Sequence, residues 1–240
     1  MLSIIIPTLN EEECLPLLLG GIKKQNFNGD LEVIVADAGS KDKTIEIAKN
    51  FDCKITKGGL PAKGRNEGAK IAKGDIFLFL DADNIYLPDN FLETLIAKFN
   101  ERDLGVASFP IYPNGNKIDR FVYGVYNFWT NLTQNFLPHA TNAVLVRKEI
   151  YKAVDGFDEE IKIAEDHAFA RAASKFAKFG FIKTEPVLTS CRRFEIEGRL
   201  KTYLKYFLAG AYMFFLGNIK SDIFKYRFDY SLEKKKKNKL

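Results

Sequence analysis

Short apolar runs alternate with amphipathic stretches from the start of the chain. Leu2–Ile6, Leu31–Ala36, Cys53–Thr56 and Ile76–Leu80 are too short for helices and read as strands. Ile76 to Leu80 is unbroken in its apolar character, which predicts a strand covered on both faces in a parallel sheet. Between the runs, Glu12–Gln25 places Leu15, Leu18, Leu19 and Ile22 at helical spacing. A second helix, capped by Ser40 or Asp42, runs to about Phe51, and a third covers Ala62–Lys73. This alternation to about Asn100 predicts an α/β fold with a mainly parallel sheet flanked by helices.

Beyond Pro88 the pattern predicts a helix to about Asn100 and a strand over Val106–Ile111. Asp119–Phe136 puts Phe121, Val125, Phe128, Leu132 and Phe136 on one helical face. That face reads first as a core face and second as a wall for an acceptor. A strand at Ala143–Val146 and a turn at Gly156-Phe157-Asp158 follow. Glu165-Asp166 opens a helix whose apolar side carries Phe169, Ala172, Ala173 and Phe176, and Phe181–Thr189 is the last strand. Tyr203–Ile219 is strongly apolar, but its charge-free part falls short of the ~20 residues that span a bilayer as a helix. The expected division is a body over residues 1–194 and a helical C-terminal extension with a basic tail over 195–240.

Composition alters this picture in one respect. The net charge is +5, but Lys234–Lys237 and Lys239 against Glu233 supply +4 of it, so the rest of the chain is close to neutral. A nucleic-acid-binding body would carry its charge on a face, so nucleic acid is not expected as a partner. With 240 residues, 46% of them hydrophobic, the chain has ample material for a core. Cys14, Cys53 and Cys191 are odd in number and scattered, which suits a reducing cytoplasm. Ser3–Ile6 is too short for a leader, and Pro7 ends it.

The candidate chemistry lies where strands stop. Asn10-Glu11, Asp37 and Asp81/Asp83 each follow an apolar run. In a parallel sheet such ends line up along one edge, where α/β proteins place their ligands. Asp81 and Asp83, at i and i+2, point to the same side of an extended segment. Two like charges there repel unless a cation lies between them. A hard divalent ion holding substrate phosphates would serve, whereas the plainer alternative is an Asp-rich turn.

Pro7-Thr8-Leu9-Asn10-Glu11, Asp37-Ala38-Gly39-Ser40 with Asp42 and Thr44, Gly64-Arg65-Asn66-Glu67-Gly68, Asp81-Ala82-Asp83, Gly156-Phe157-Asp158 and Glu165-Asp166 stand in the order of a known series. They resemble the motifs of glycosyltransferase family 2, over roughly residues 1–190. One departure is Ala38, where the family often has a second acid. The resemblance implies the GT-A fold and a nucleotide-diphosphate sugar as donor. It implies that Pro7, Thr8, Asn10, Glu11 and Asp37 hold the nucleotide, with Asp37 accepting from the imide of a uridine-type base. Arg65, with Lys63 nearby, would face the diphosphate at a helix start, and Asn66 beside them belongs to the donor site. Asp81, Ala82 and Asp83 would serve the ribose and a Mn²⁺ or Mg²⁺ ion, with Asp83 the direct ligand. Asp166 is the implied base toward an acceptor hydroxyl, in a single displacement with inversion. Arg192 and Arg193 are carried over as diphosphate contacts. The plainer alternatives are a solvated helix face for Lys63 and Arg65, and a dipole-stabilised acidic helix start for Asp166. His139 reads first as structural and second as an aid to metal or acceptor.

Two other functions compete. A sugar nucleotidyltransferase would show a Gly-rich loop after the first strand, which Pro7–Glu13 lacks. A non-catalytic nucleotide-sugar-binding protein would not need Asp166 beside an intact Asp81/Asp83 pair. A dinucleotide oxidoreductase is not expected, since no Gly-x-Gly-x-x-Gly follows the first strand. At the C-terminal end, Arg199, Lys201 and Lys205 precede the apolar stretch, and Lys220, Lys225 and Arg227 follow it. This predicts a helix lying in the headgroup zone of a membrane, serving a lipid-linked acceptor from the cytoplasmic face. A helix packed on the body or a homodimer contact is the alternative.

Overall fold

The computed structural model describes residues 1–140, 142–224, 227 and 229. Its main sheet has the order β3-β2-β1-β4-β8-β6-β9. Strands β1 (Leu2–Thr8), β2 (Leu31–Asp37), β3 (Lys54–Lys57) and β4 (Ile76–Leu80) run parallel, with α1 (Leu15–Lys23), α2 (Thr44–Asn50) and α3 (Pro61–Ile71) between them. The short strand β5 (Asn84–Tyr86) and α4 (Phe91–Glu101) come next in the chain. β8 (Ala143–Arg147) enters antiparallel between β4 and β6 (Val106–Ser108), and β9 (Phe179–Phe181) pairs parallel with β6.

Alternation along the strands sorts the core into two layers. Ile4, Ile6, Leu78 and Leu80 pack with Leu15, Leu18, Leu95 and Phe99 on one face. Ile5, Phe77 and Phe79 pack with Val144, Phe157 and Phe169 on the other. Helix α3 lies close on β1 because Gly64 and Gly68 face it. A Cβ on Gly68 would come within 2.4 Å of Ile5 Cγ2, and one on Gly64 within 2.9 Å of the Pro7 Cβ.

Several expected elements are cut differently. Val106–Ile111 is two strands, β6 and β7 (Ile111–Pro113), because Pro110 lacks an N–H to continue the ladder. Phe181–Thr189 likewise divides into β9 and β10 (Val187–Thr189) around Pro186. β7 and β10 join β5 in a small second sheet of order β5-β10-β7. Helix α1 starts only at Leu15, with Pro16 in its first turn. A short helix, α6 (Lys148–Ala153), follows β8, and α7 (Glu165–Ala173) begins at the expected acidic pair.

The largest correction concerns α5 (Lys117–Thr133), which was expected to bury its apolar stripe. It buries its polar residues instead: Asp119, Asn127, Thr130 and Thr133. Phe121 and Phe128 are 71% and 66% exposed, and Val125, Leu132 and Phe136 are also exposed. The neighbours explain the inversion. Asn127 Nδ2 donates to the Ile111 carbonyl at 3.0 Å, and Asp119 accepts from Arg199 Nε and from Tyr203 Oη, the latter at 2.6 Å. Phe176, expected on an apolar side, is also exposed, because α7 ends before it.

Helix α8 (Arg192–Glu197) contains the expected 194/195 boundary, and Phe194 lies 5.1 Å, centroid to centroid, from Tyr203 of α9 (Arg199–Leu216). Among the described residues, no helix is long and apolar enough to cross a membrane. Lys225 and the lysines of the tail lie outside the described residues.

Candidate active site

An open cleft lies at the carboxyl edge of β1, β2 and β4. Pro7, Thr8, Leu9, Glu11, Ala38, Gly59–Pro61, Asp81, Ala82, Asp83, Arg192 and Arg193 line it. Pairing of Thr8 with Asp37 in the β1–β2 register brings the two strand ends level. The cleft thus gathers Pro7, Thr8, Glu11, Asp81, Ala82, Asp83, Arg192 and Arg193 from the expected set. Asn10, Asp37, Lys63, Arg65, Asn66 and Asp166 stand outside its lining.

Four of these have partners within the protein. Asp37 accepts from Gly39 N and Ser40 N at 2.8 Å, from Ser40 Oγ at 2.5 Å and from Thr8 Oγ1 at 3.1 Å. Those four donors fill its carboxylate, so it builds the turn under the cleft and has no lone pair left for a base imide. Asn66 is similarly taken up. It donates to the Phe157 carbonyl at 2.8 Å and to Glu159, and it accepts from Tyr151 Oη and Phe157 N at 2.9 Å. It fastens α3 to the Gly156–Glu159 turn. Asn10, at φ 55°, receives a hydrogen bond from Lys41 N and gives its N–H to Ser40 Oγ, joining the first two loops. Lys63 is exposed at the start of α3.

Arg65 is the fourth. It is 2% exposed, and its guanidinium is gripped by Asp81 Oδ1 at 2.6 Å and by Glu165. Burial works against its charge, and the carboxylates of Asp81, Glu165 and Asp166 more than offset that. The arginine therefore organises carboxylates at the sheet edge. Glu165 was missed as a functional residue, because nothing in the spacing ties it to a partner so far away in sequence.

The carboxylates are perturbed in consequence. Burial, joined by the charges of Asp83 and Glu165, pushes Asp81 up to about 7 against the pull of Arg65. Burial likewise raises Glu11 to about 7, although it is paired with Arg192. Burial raises Asp166 too, while Arg65 and the backbone N–H groups of His167 and Asn142 oppose the shift. Those groups donate to Asp166 at 2.8 and 3.0 Å. The Asn142 carbonyl in turn accepts from Asp81 N at 3.3 Å, so one residue links the two acids. Behind them, His139 Nδ1 lies 3.3 Å from His167 Nδ1, and burial lowers the two rings to about 3 and about 4. His139 thus sits behind the acid and outside the cleft lining.

The donor set suits a hard cation. Among the described residues, Asp83 Oδ1 and Glu11 Oε2 are buried without a hydrogen-bond partner at the cleft. Asp81 spends Oδ1 on Arg65, while the backbone carbonyl of Asp83 is tied down by Ser190 N at 2.8 Å. No cluster of three or more His, Cys, Asp or Glu ligands occurs among the described residues. Two aspartates alone make a partial shell, as expected of an ion that shares its ligands with substrate phosphates.

Sheet, cleft and carboxylates together are those of a GT-A type glycosyltransferase. The family model for Glycosyl transferase family 2 matches residues 3–153, most of the chain, and the chain belongs to that family. It is 29% identical over 188 residues to the poly(ribitol-phosphate) beta-N-acetylglucosaminyltransferase TarS of Staphylococcus aureus, a match covering 71% of this chain and 32% of TarS. The chain thus spans about a third of that relative's length. An uncharacterized glycosyltransferase of Haemophilus influenzae is 26% identical, with 80% and 68% covered. The crystal structure of TarS 1-349 with UDP superposes with a TM-score of 0.64 at 25% identity, covering 79% of this chain and 60% of that one. The mannosyltransferase PcManGT of Pyrobaculum calidifontis, crystallised with GDP-Man and Mn²⁺, shares the fold at a TM-score of 0.61 and 20% identity, with 78% and 56% covered.

Proposed function

We propose that the chain moves a sugar from a nucleotide-diphosphate sugar to an acceptor hydroxyl, in one displacement that inverts the anomeric carbon. The observation that carries this reading is the Asp81–Asn142–Asp166 linkage, which sets a carboxylate pair and a buried third carboxylate at one sheet edge. Asp166 takes the proton of the acceptor hydroxyl as its oxygen bonds to the anomeric carbon. The bond from that carbon to the diphosphate breaks, and its electron pair leaves with the diphosphate. A carboxylate whose proton affinity is raised by burial suits a base working near neutral pH. Asp83, with the second oxygen of Asp81, would hold Mn²⁺ or Mg²⁺. When bound, the ion would offset charge on the departing diphosphate. Arg192 and Arg193, the cations lining the cleft, add to that field, and Arg65 keeps Asp81 in place.

A uridine donor is favoured, since TarS was crystallised with UDP and with UDP-GlcNAc. With Asp37 saturated, the base would rest on the Pro7–Leu9 loop and Ala38.

The test is release of nucleoside diphosphate from a panel of nucleotide sugars with Mn²⁺ or Mg²⁺. Release from a uridine sugar that stops on chelation is the expected result. Asp83→Asn should keep the fold and lose metal-dependent nucleotide binding. Unchanged metal-dependent affinity in that variant removes Asp83 from the ion.

A further inference from the structure

Helix α5 is built inside out. Ile118, Phe121, Val125, Phe128, Trp129 and Leu132 are between 52% and 71% exposed, while Asp119, Asn127, Thr130 and Thr133 are buried. Helix α9 adds Leu200, Leu204 and Phe207, at 84%, 54% and 72% exposure. The two helices are pinned together at Asp119, which takes hydrogen bonds from Arg199 Nε at 3.0 Å and Tyr203 Oη at 2.6 Å. Apolar surface on this scale is rare on a monomeric soluble protein and marks something that covers it.

We propose that α5 and α9 dock on the surface of an anionic phospholipid bilayer. Charge selects this occupant. The only carboxylate in the two helices is Asp119, which is buried and paired with Arg199. Against it stand Lys117, Arg120, Arg199, Lys201 and Lys205, and Lys117, Arg120 and Lys201 are exposed. A second copy docked about a two-fold axis would set the exposed Lys117, Arg120 and Lys201 against one another with no acid in either helix free to meet them. Arg199 and Lys205 are already paired, with Asp119 and Glu197, and an anionic leaflet meets the exposed Lys117, Arg120 and Lys201 while its acyl boundary takes the Phe, Leu and Trp side chains. The sequence beyond α9 carries further lysines and arginines in the same sense. Lying flat is the mode available, because neither helix is able to cross.

The placement has a chemical consequence. Tyr126, on the inner side of α5, has its ring 6.4 Å from that of His167, whose N–H donates to Asp166. The bilayer would thus lie about one helix diameter, ~10 Å, beyond the groups behind the base. Such a placement would hold the sheet edge that carries Asp166 close to the bilayer, as a lipid-linked acceptor would require. That consequence rests on the proposed transfer reaction. The docking does not, and it is tested without turnover.

Trp129 is the only tryptophan in the chain and stands on the proposed face, so its fluorescence reports directly. The full chain is mixed with vesicles of phosphatidylcholine and phosphatidylglycerol in equal parts, and with vesicles of phosphatidylcholine alone. Expected results are sedimentation with the anionic vesicles, weakened by salt, a blue shift of Trp129 emission, and quenching by brominated lipid. The double variant Phe121→Ser, Phe128→Ser should bind at least about tenfold more weakly, with an unchanged circular dichroism spectrum and melting temperature. Failure to pellet with anionic vesicles overturns the proposal. So does pelleting with Trp129 emission unchanged, which would assign binding to the lysine tail alone. A dimer that dissociates on the same substitutions, without vesicle binding, would make the face a contact between copies.

Discussion

Strand β4 and helix α5 both carry aromatic and aliphatic side chains in quantity, and the fold treats them in opposite ways. Phe77, Leu78, Phe79 and Leu80 are almost wholly buried, with helices on both sheet faces. Phe121, Val125, Phe128 and Leu132 stand in solvent. The difference lies in what each element's neighbours require. A central strand satisfies its backbone through its ladder partners and leaves only apolar demands on its faces. Helix α5 lies on a sheet edge and a helix pair that ask for polar partners: the Ile111 carbonyl, Arg199 and Tyr203. An amphipathic pattern says that one face is apolar, and the surroundings decide which face turns inward.

The largest effect is expected at the edge where β4 ends. Asp166→Asn should lower transfer by about 10²–10⁴-fold, as loss of a general base does. Donor affinity by calorimetry should be nearly unchanged, since a base acts on the acceptor. A comparable loss of donor binding would move Asp166 into the donor site and break the division of labour between it and Asp81.

Arg65→Met comes next. Removing a buried cation leaves Asp81 and Glu165 facing each other unpaired, and urea unfolding should show a loss of ~3–5 kcal/mol. Adding Asp81→Asn and Glu165→Gln should recover part of that loss. If the single variant is as stable as the parent, the arginine does not bind this edge together.

The parallel half of the fold was legible because its signals are local. Strand runs, helical spacing and the polar clusters after each strand are properties of neighbouring residues, and their alternation implies the parallel sheet. The cleft lining was legible for the same reason, down to Glu11, Asp81 and Asp83. Burial and saturation were not. Whether Arg65 faces a ligand or two carboxylates depends on Glu165, distant in sequence, and whether Asp37 has a free lone pair depends on Thr8 and Ser40. The inversion of α5 depended on Arg199 and Tyr203, again far along the chain.

A pair of substitutions sharpens the opening contrast. Leu78→Ala should cost ~2–5 kcal/mol, through lost transfer energy and an unfilled cavity between the sheet and α4. Phe128→Ala removes more atoms, yet without lipid it should change stability by no more than ~0.5 kcal/mol. A large loss for Phe128→Ala would mean that the face is already covered, by another copy or by the remainder of the chain.

A pH-dependent effect sits where the two regions meet, at His139 and His167 beneath Tyr126 of α5. Burial holds both imidazoles neutral, with folded-state values near 3 and 4 against an ordinary 6.5. Arg171 pushes in the same direction on both, and Glu165 pushes against it on His167. Below pH 6.5 the unfolded chain binds protons that the folded chain refuses, so the stability these groups supply is full above 6.5 and drains as the pH falls toward 4 and then 3. Glu11 and Asp81 act in the opposite sense. Their folded-state values near 7 keep them protonated when the unfolded chain has ionised, so they lower stability as the pH rises to 7. The parent's pH profile therefore mixes two slopes, and a difference isolates one of them. Between pH 6.5 and about 5, unfolding free energy should fall more steeply in the parent than in the double variant His139→Gln, His167→Gln, by ~2 kcal/mol per pH unit for the two rings together. Identical slopes would mean that water or a rearranged α5 solvates the pair. In that case the inner face of α5 would not be the dry partition between Asp166 and the apolar surface outside.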